Sequence, residues 1–260
     1  MPRTRDWRSP EAADALKDLD RSGLAWEFLR RNPEFREHYA SILERTESNA
    51  LSEEAALAEL SDRWGCLILR DPSLPSSSGP MVWCPELLAP GVTLIAAPDG
   101  YSEAHELSAS DVGDARADLR RADGRHVLLE EPEGDHRLWL PNVWIGDSLA
   151  GLVVLDDRFA LRIAALQRLY RRLAGRSPGP LPKAWRITRR HQWRLALMLR
   201  ALDGHLDQAS YRAIADALFG AEAVGRYAWK TSSIRGQTIR LVKDAIRMMK
   251  GGYRKLLSGD

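Results

Sequence analysis

The spacing of apolar residues changes twice along the chain: it is helical at the front, strand-like in the middle and helical again at the end. At the front, Ser9-Pro10-Glu11 combines an N-cap hydroxyl, a proline at the first helical position and an acid near the positive helix end. A second helix is predicted over 23–31. Asn32 and Pro33 begin a third helix, and Ser52 caps a fourth.

The middle of the chain has the short apolar runs and the Pro and Gly breaks that are typical of strands. Two such runs, at 126–130 and 136–140, are joined by the turn sequence PEGD and predict a β-hairpin. Residues 98–124 are polar without a steady period and predict a loop. Further strands are predicted over 63–70, 82–88, 92–97 and 152–155.

Helical spacing returns after Asp156. One apolar stripe recurs there at intervals of three and four: Phe159, Ile163, Leu166, Tyr170 and Leu173. The segment 175–182, GRSPGPLP, is rich in proline and glycine and predicts a linker or hinge. Together the patterns predict an α+β protein with N-terminal helices at 1–62, a small β-rich middle at 63–155 and an all-α domain at 156–260.

Three helices are predicted after the linker. The first covers about 187–202, and its polar face carries five arginines: Arg186, Arg189, Arg190, Arg194 and Arg200. The second covers 210–220, with Ser210 as N-cap, Gly220 as stop and Ala215 at its centre. A small residue there lets another helix cross closely, as a helix-turn-helix requires. The third covers about 232–250.

Charge changes sign at the linker. Residues 181–260 carry 16 Lys and Arg against 6 Asp and Glu, a net charge of +10, whereas residues 1–180 have a net charge of −8. Clustered Lys and Arg neutralise phosphates, so a basic helical segment on an acidic body is typical of a nucleic-acid-binding module attached to a regulatory body.

The third predicted helix has an apolar face and, on the opposite side, a basic face, at about 100° per residue. The N-terminal turns of a recognition helix reach base edges, where Gln reads adenine and Arg reads guanine. We therefore assign base reading to Ser233, Gln237 and Arg240. Phosphate or backbone contacts are assigned to Arg212, Lys230, Arg235, Lys243 and Arg247.

The sequence carries no motif of an enzyme, a metal site or a bound cofactor. A P-loop, HExxH and GxSxG are all absent, and Cys66 and Cys84 form no CxxC pair. The acids at 130–135 flank the predicted hairpin turn, where carboxylates are commonly solvated. Neither a signal peptide nor a run of about 18 apolar residues is visible. We expect a cytoplasmic protein without enzymatic activity or membrane contact.

Two segments resemble known protein families. The run 189–257 resembles a proteobacterial family, formerly of unknown function, that is now viewed as a variant helix-turn-helix. Its marks are ALDG followed by ASYRAIADALFG, then Trp229-Lys230, Ile234-Arg235 and Gly251-Gly252-Tyr253. The start, 6–39, resembles a short transcriptional-regulator-like domain. The combination is similar to activators of excision and transfer genes in integrative and conjugative elements, of the FseA type.

The resemblance implies a transcriptional activator that binds promoter double-stranded DNA and contacts RNA polymerase or an antiactivator protein. The chain departs from an ordinary helix-turn-helix, because eleven residues, 221–231, separate the second helix from the third instead of about four. Related domains also serve in protein–protein contact. The alternative is therefore an antiactivator-like interaction regulator with little DNA binding, which would show an uncovered apolar patch rather than a free basic face.

Overall fold

A computed structural model describes residues 6–14, 16–225 and 228–259. At the front, four helices follow one another: α1 (Glu11–Asp14), α2 (Arg21–Leu29), α3 (Pro33–Glu47) and α4 (Glu53–Trp64). The capping residues predicted from the sequence begin two of these helices. The Asn32 side chain accepts from Glu34 N, and Ser52 Oγ accepts from Ala55 N, so both predicted caps are confirmed.

The middle of the described chain forms a sheet with the strand order β2-β3-β4-β1-β5. The strands are β1 (Val92–Ala96), β2 (Ala115–Arg121), β3 (Gly124–Leu129), β4 (His136–Leu140) and β5 (Leu149–Leu152). The predicted hairpin is confirmed, since β3 and β4 pair antiparallel from Arg125↔Leu140 to Leu129↔His136. The first strand, β1, lies between β4 and β5; it pairs parallel with β4 and antiparallel with β5.

The back half is helical. It consists of α5 (Phe159–Leu173), α6 (Arg189–Leu206), α7 (Tyr211–Phe219), α8 (Ala221–Gly225), α9 (Ser233–Arg247) and α10 (Arg254–Ser258). After α9 the chain kinks at Lys250 and Gly251, where Gly251 has a φ of +124° that favours glycine. The third predicted helix therefore consists of α9 followed by a π-helical turn at Met248–Gly252, and the kink lies at its predicted end. The α+β class predicted from the sequence is confirmed.

Apolar side chains assemble in two clusters that cross the predicted domain boundaries. The larger cluster joins α2, α3 and α4 to α6, α9 and α10 through residues such as Trp26, Phe35, Leu199 and Tyr253. The smaller cluster joins the sheet to α5 through residues such as Leu129 and Leu169. The front helices and the helices after the linker thus share one core, whereas α5 packs on the sheet.

Four predictions about the middle region were wrong. Residues 63–70 and 82–88 form no strand; they meet in a single bridge, Cys66↔Trp83, and bury these side chains in the helical core. Residues 115–121, expected in a loop, form β2. This strand lies at the sheet edge, and four of its seven residues are charged, so the apolar signal was too weak to detect. The last strand, β5, lies three residues earlier than expected.

Two helix faces also differ from the prediction. In α5 the buried residues are Ala165, Arg168 and Leu169, while Phe159 and Tyr170 of the predicted stripe are 43% and 63% exposed. The sheet contacts the face beside the stripe, so the stripe is only partly covered. The second difference is Arg200, which was placed on the polar face of α6. It is buried and donates to the carbonyls of Trp7, Arg8 and Ala217.

Candidate nucleic-acid interface

Helices α6, α7 and α9 contact one another in pairs and form the framework of the site. The α7 helix begins at Ser210, whose hydroxyl accepts from Ala213 N, and Gly220 ends it at a φ of +87°. Ala215 is fully buried, as expected for a close helix crossing. Gly204 of α6, which the sequence did not single out, has the same role: a Cβ there would lie 3.0 Å from Ile214 Cγ1 of α7.

The long connection between α7 and α9 contains structure of its own. Within it lie α8 and a 3₁₀ turn at Trp229–Thr231, while residues 226 and 227 are outside the described chain. Val224 of α8 is buried, which anchors the connection to the helical core. The connection from α7 to α9 is therefore longer than the turn of an ordinary helix-turn-helix, and α8 lies within it.

The orientation of α9 follows from its apolar face. Thr238, Leu241, Val242 and Ala245 are buried, and Thr238 Oγ1 donates to Ile234 O at 2.8 Å, which satisfies the one polar group on that face. Ser232 caps the helix by accepting from Ile234 N at 3.1 Å. The packing of this face against α6 and α7 leaves the opposite face of α9 to solvent.

All eight residues assigned to DNA contact are exposed: Arg212, Lys230, Ser233, Arg235, Gln237, Arg240, Lys243 and Arg247. Lys230 lies in the 3₁₀ turn directly before α9, and Arg212 lies in the first turn of α7. The residues of α9 do not all share one direction. At about 100° per residue, Ser233, Gln237, Arg240 and Arg247 fall within one arc of about 80°, and Lys243 borders it.

Arg235 lies apart from that arc. It is exposed, but the helical period places it about 140° from Arg240 and about 160° from Gln237. A helix lying in a groove presents one side to the bases and its flanks to the two backbones. Arg235 therefore does not share the arc of Gln237 and Arg240.

The arc also contains one acid that the sequence assignments left out. Asp244 accepts from Arg194 of α6 at 2.6 Å and from Arg247 at 3.4 Å. Arg194 is half exposed, so the two arginines and Asp244 form an ion-pair cluster that joins α6 to α9. The pairing offsets the charge of Asp244, while Arg247 itself stays largely exposed. Arg194 is thus a basic residue of the same surface that helical periodicity within α9 could not reveal.

No group of three or more potential metal ligands is found in the described part of the chain. Tyr253, beside Arg254 in sequence, is buried and donates its hydroxyl to Trp64 O at 2.8 Å; burial raises its pKa. Within residues 6–14, 16–225 and 228–259, no helix has the length and apolarity to cross a membrane.

Comparison with known families covers most of the chain in three segments. Residues 152–258 match the family described as T6SS, Transcription factor, DNA binding domain. Residues 6–67 match the proteobacterial transcriptional regulator-like domain, and residues 91–150 match a domain of unknown function. No curated protein matches the chain. The chain thus carries a regulator-like domain and a transcription-factor DNA-binding domain, which together support a DNA-binding transcriptional regulator.

Proposed function

We propose that the protein is a sequence-specific transcriptional activator that binds promoter DNA with α9 in the major groove. The observation that carries this proposal is the solvent-facing arc of α9. It presents Gln237 and Arg240 in the N-terminal half of a capped helix, backed on its other side by α6 and α7. Such side chains read adenine and guanine by paired hydrogen bonds in the major groove.

Residue roles follow from position on this surface. Ser233, Gln237 and Arg240 would contact base edges. Lys243, Arg247 and Lys230 would neutralise phosphates, with Arg235 on the other flank and Arg212 at the start of α7. Arg194 joins the phosphate-binding set, because Asp244 holds it beside Arg247. The binding is non-covalent, and we propose no enzymatic activity and no cofactor.

The class of target gene is proposed from the combination of the N-terminal segment 6–39 with the C-terminal segment 189–257. This combination is similar to activators of excision and transfer genes in integrative and conjugative elements, so the promoters would belong to a mobile element and the protein would act in the cytoplasm. The proposed protein partner is RNA polymerase, which an activator would contact, or an antiactivator protein, which would block activation. Exposed apolar residues at the β5–α5 junction offer a second surface for such partners: Leu152, Val154, Leu155 and Phe159.

The same apolar surface favours the alternative function, an interaction regulator with little DNA binding. The two functions depend on different surfaces of the protein. An activator needs the α9 arc, whereas an interaction regulator needs only the junction residues, of which Leu155 is 86% exposed.

Footprinting of the purified full-length protein on promoters beside its own gene tests the proposal. A protected site should appear at physiological salt and should be lost in Arg240→Ala, while a Leu155→Ser variant keeps it. A reporter on the same promoter should lose activation in both variants if the junction contacts the transcription machinery. Absence of any protected site, with the reporter still responding to Leu155→Ser, would favour the interaction regulator.

A further inference from the structure

A cavity of about 260 Å³ lies where the helical core meets the sheet. Its apolar wall is formed by Trp26 of α2, Met81 of the segment before β1, and Leu128 of β3. Trp26 is fully buried, and its ring nitrogen is satisfied by Leu74 O at 3.0 Å, so it presents a rigid apolar surface. Ligand sites of this kind combine an apolar wall with a few convergent polar groups.

The remaining wall carries charges of both signs. Three guanidinium groups line it, those of Arg70, Arg116 and Arg137, and so do the carboxylates of Asp18, Asp20 and Asp135. Arg116 pairs with Asp135 at 3.1 Å, and Arg137 pairs with Asp20 at 2.5 Å. The positive and negative groups are thus interleaved around one opening.

These charges are incompletely satisfied within the protein. Arg137 is almost fully buried, yet its Nε has no hydrogen-bond partner among the described residues. Asp135 is largely buried as well, and burial raises its pKa although Arg137 and Arg116 act in the opposite direction. Arg116, by contrast, is about two-fifths exposed and makes one described ion pair. The partly exposed guanidinium of Arg116 therefore lies beside the buried carboxylate of Asp135, whose pKa stays raised despite its two arginine neighbours.

We propose that this cavity binds a small zwitterion with an apolar side chain, in the chemical class of free α-amino acids. The carboxylate would pair with Arg116, the ammonium with Asp135 and the rim residue Asp18, and the side chain would rest on Trp26 and Met81. A simple anion would meet three carboxylates and a simple cation would meet three guanidinium groups. The volume lies below the roughly 300–1,000 Å³ of sites for drug-sized ligands, which suits a molecule of this size.

The cavity is connected to the DNA-binding helices by a chain of buried contacts. Ser76, which lines the cavity, donates its backbone N–H to Glu27 at 2.8 Å. Glu27 binds Arg31 at 2.6 Å, and Arg31 binds Asp203 of α6. A ligand in the cavity would therefore touch a segment that is tied to α6, the helix against which α9 packs.

Binding is tested with each of the twenty standard amino acids singly, at up to about 10 mM, by thermal shift and calorimetry on the full-length protein. We expect at least one with an apolar side chain to bind. Its amide, which lacks the carboxylate, and its deaminated acid, which lacks the ammonium, should each bind about tenfold or more weakly. No binding by any amino acid would overturn the proposal, as would equal affinity for either analogue.

Matched variants locate the site. Ser77 lines the cavity and Ser78, its neighbour in the same 3₁₀ turn, does not, so Ser77→Trp should abolish binding and Ser78→Trp should preserve it. Arg116→Gln should weaken binding about tenfold, while Arg120→Gln on the same strand should not. Equal behaviour within both pairs would overturn the assignment. Since no step uses DNA, failure here leaves the proposed DNA-binding function standing, and the reverse also holds.

Discussion

Arg31, in the turn after α2, and Asp203 of α6 form a buried bidentate ion pair, with Nε–Oδ1 and Nη2–Oδ2 distances of 2.6 and 2.9 Å. The two residues belong to different family matches, the regulator-like domain and the DNA-binding domain. Arg31 also binds Glu27, so three charges are taken from water together and compensate one another. The pair joins the front of the chain to its DNA-binding helices.

Removal of one partner of this pair should destabilise the whole protein. Asp203→Ala leaves a buried guanidinium with only Glu27 as counter-charge, which should cost about 3–5 kcal/mol in the free energy of unfolding. Urea unfolding followed by circular dichroism measures it. His205→Ala, an exposed change on the same helix, is the control and should stay within about 0.5 kcal/mol. Similar values for the two variants would show that the pair adds nothing to stability.

Stability should fall as the pH drops below neutrality because of His136. Burial, with help from Arg168, Arg172 and Arg137, lowers the pKa of this histidine from 6.5 to about 3. The folded state therefore holds it neutral, while the unfolded state binds a proton below its pKa of 6.5. Stability is thus complete above that value and is lost progressively as the pH falls towards 3.

The measurement compares unfolding free energies at about pH 7 and about pH 5, where His136 should account for a loss of about 2 kcal/mol. In a His136→Leu variant the fall in unfolding free energy between these pH values should be smaller by this amount. His205→Gln, at an exposed position, should show the same fall as the wild type. An unchanged drop in His136→Leu would mean that another group causes the pH dependence.

Phosphate contacts should appear in the salt dependence of DNA binding. Lys243→Ala and Arg247→Ala should each reduce the slope of log K against log salt by about 0.9, and weaken binding to all sequences alike. Fluorescence anisotropy over a salt series measures the slope. Arg176→Ala removes the same charge from an exposed loop after α5 and should leave the slope unchanged. Wild-type slopes for both variants would place Lys243 and Arg247 outside the interface.

Base reading should appear as lost discrimination. Gln237→Ala or Arg240→Ala should cost about 1–3 kcal/mol at the operator and much less on random DNA. Arg235→Ala is the matched comparison on the same helix, since Arg235 faces a flank and should affect both DNAs equally. Competition gel shifts give the ratio of affinities. If the Gln237 and Arg240 variants also lose affinity equally on both DNAs, these residues contact the backbone instead.

The segment after residue 155 should not fold normally alone. Its helices α6, α9 and α10 bury apolar residues against α2 and α4, and α5 packs on the sheet. A 156–260 fragment would expose both surfaces, so we expect loss of the cooperative thermal transition and of near-ultraviolet circular dichroism. The full chain is the reference. A fragment that unfolds cooperatively near the full-length temperature would show that the shared core is dispensable.

The sequence by itself determined the elements whose signals are local. Caps at Asn32, Ser52 and Ser210 act within three residues, so their hydrogen bonds could be predicted from order alone. The β3–β4 hairpin and the two faces of α9 depend equally on neighbours along the chain. The helical period therefore indicated that Gln237, Arg240, Lys243 and Arg247 face away from the apolar side, and all four are exposed.

Only the tertiary structure decided which surfaces meet. Arg31 and Asp203 lie 172 positions apart, and no pattern along the chain marks them as partners. The same holds for the burial of Arg200, the pairing of Arg194 with Asp244, and the face of α5 that contacts the sheet. Helical spacing shows that a face is apolar or charged. Whether water, a sheet or another helix covers that face depends on packing between distant segments, and that packing joined the front of this chain to its DNA-binding helices.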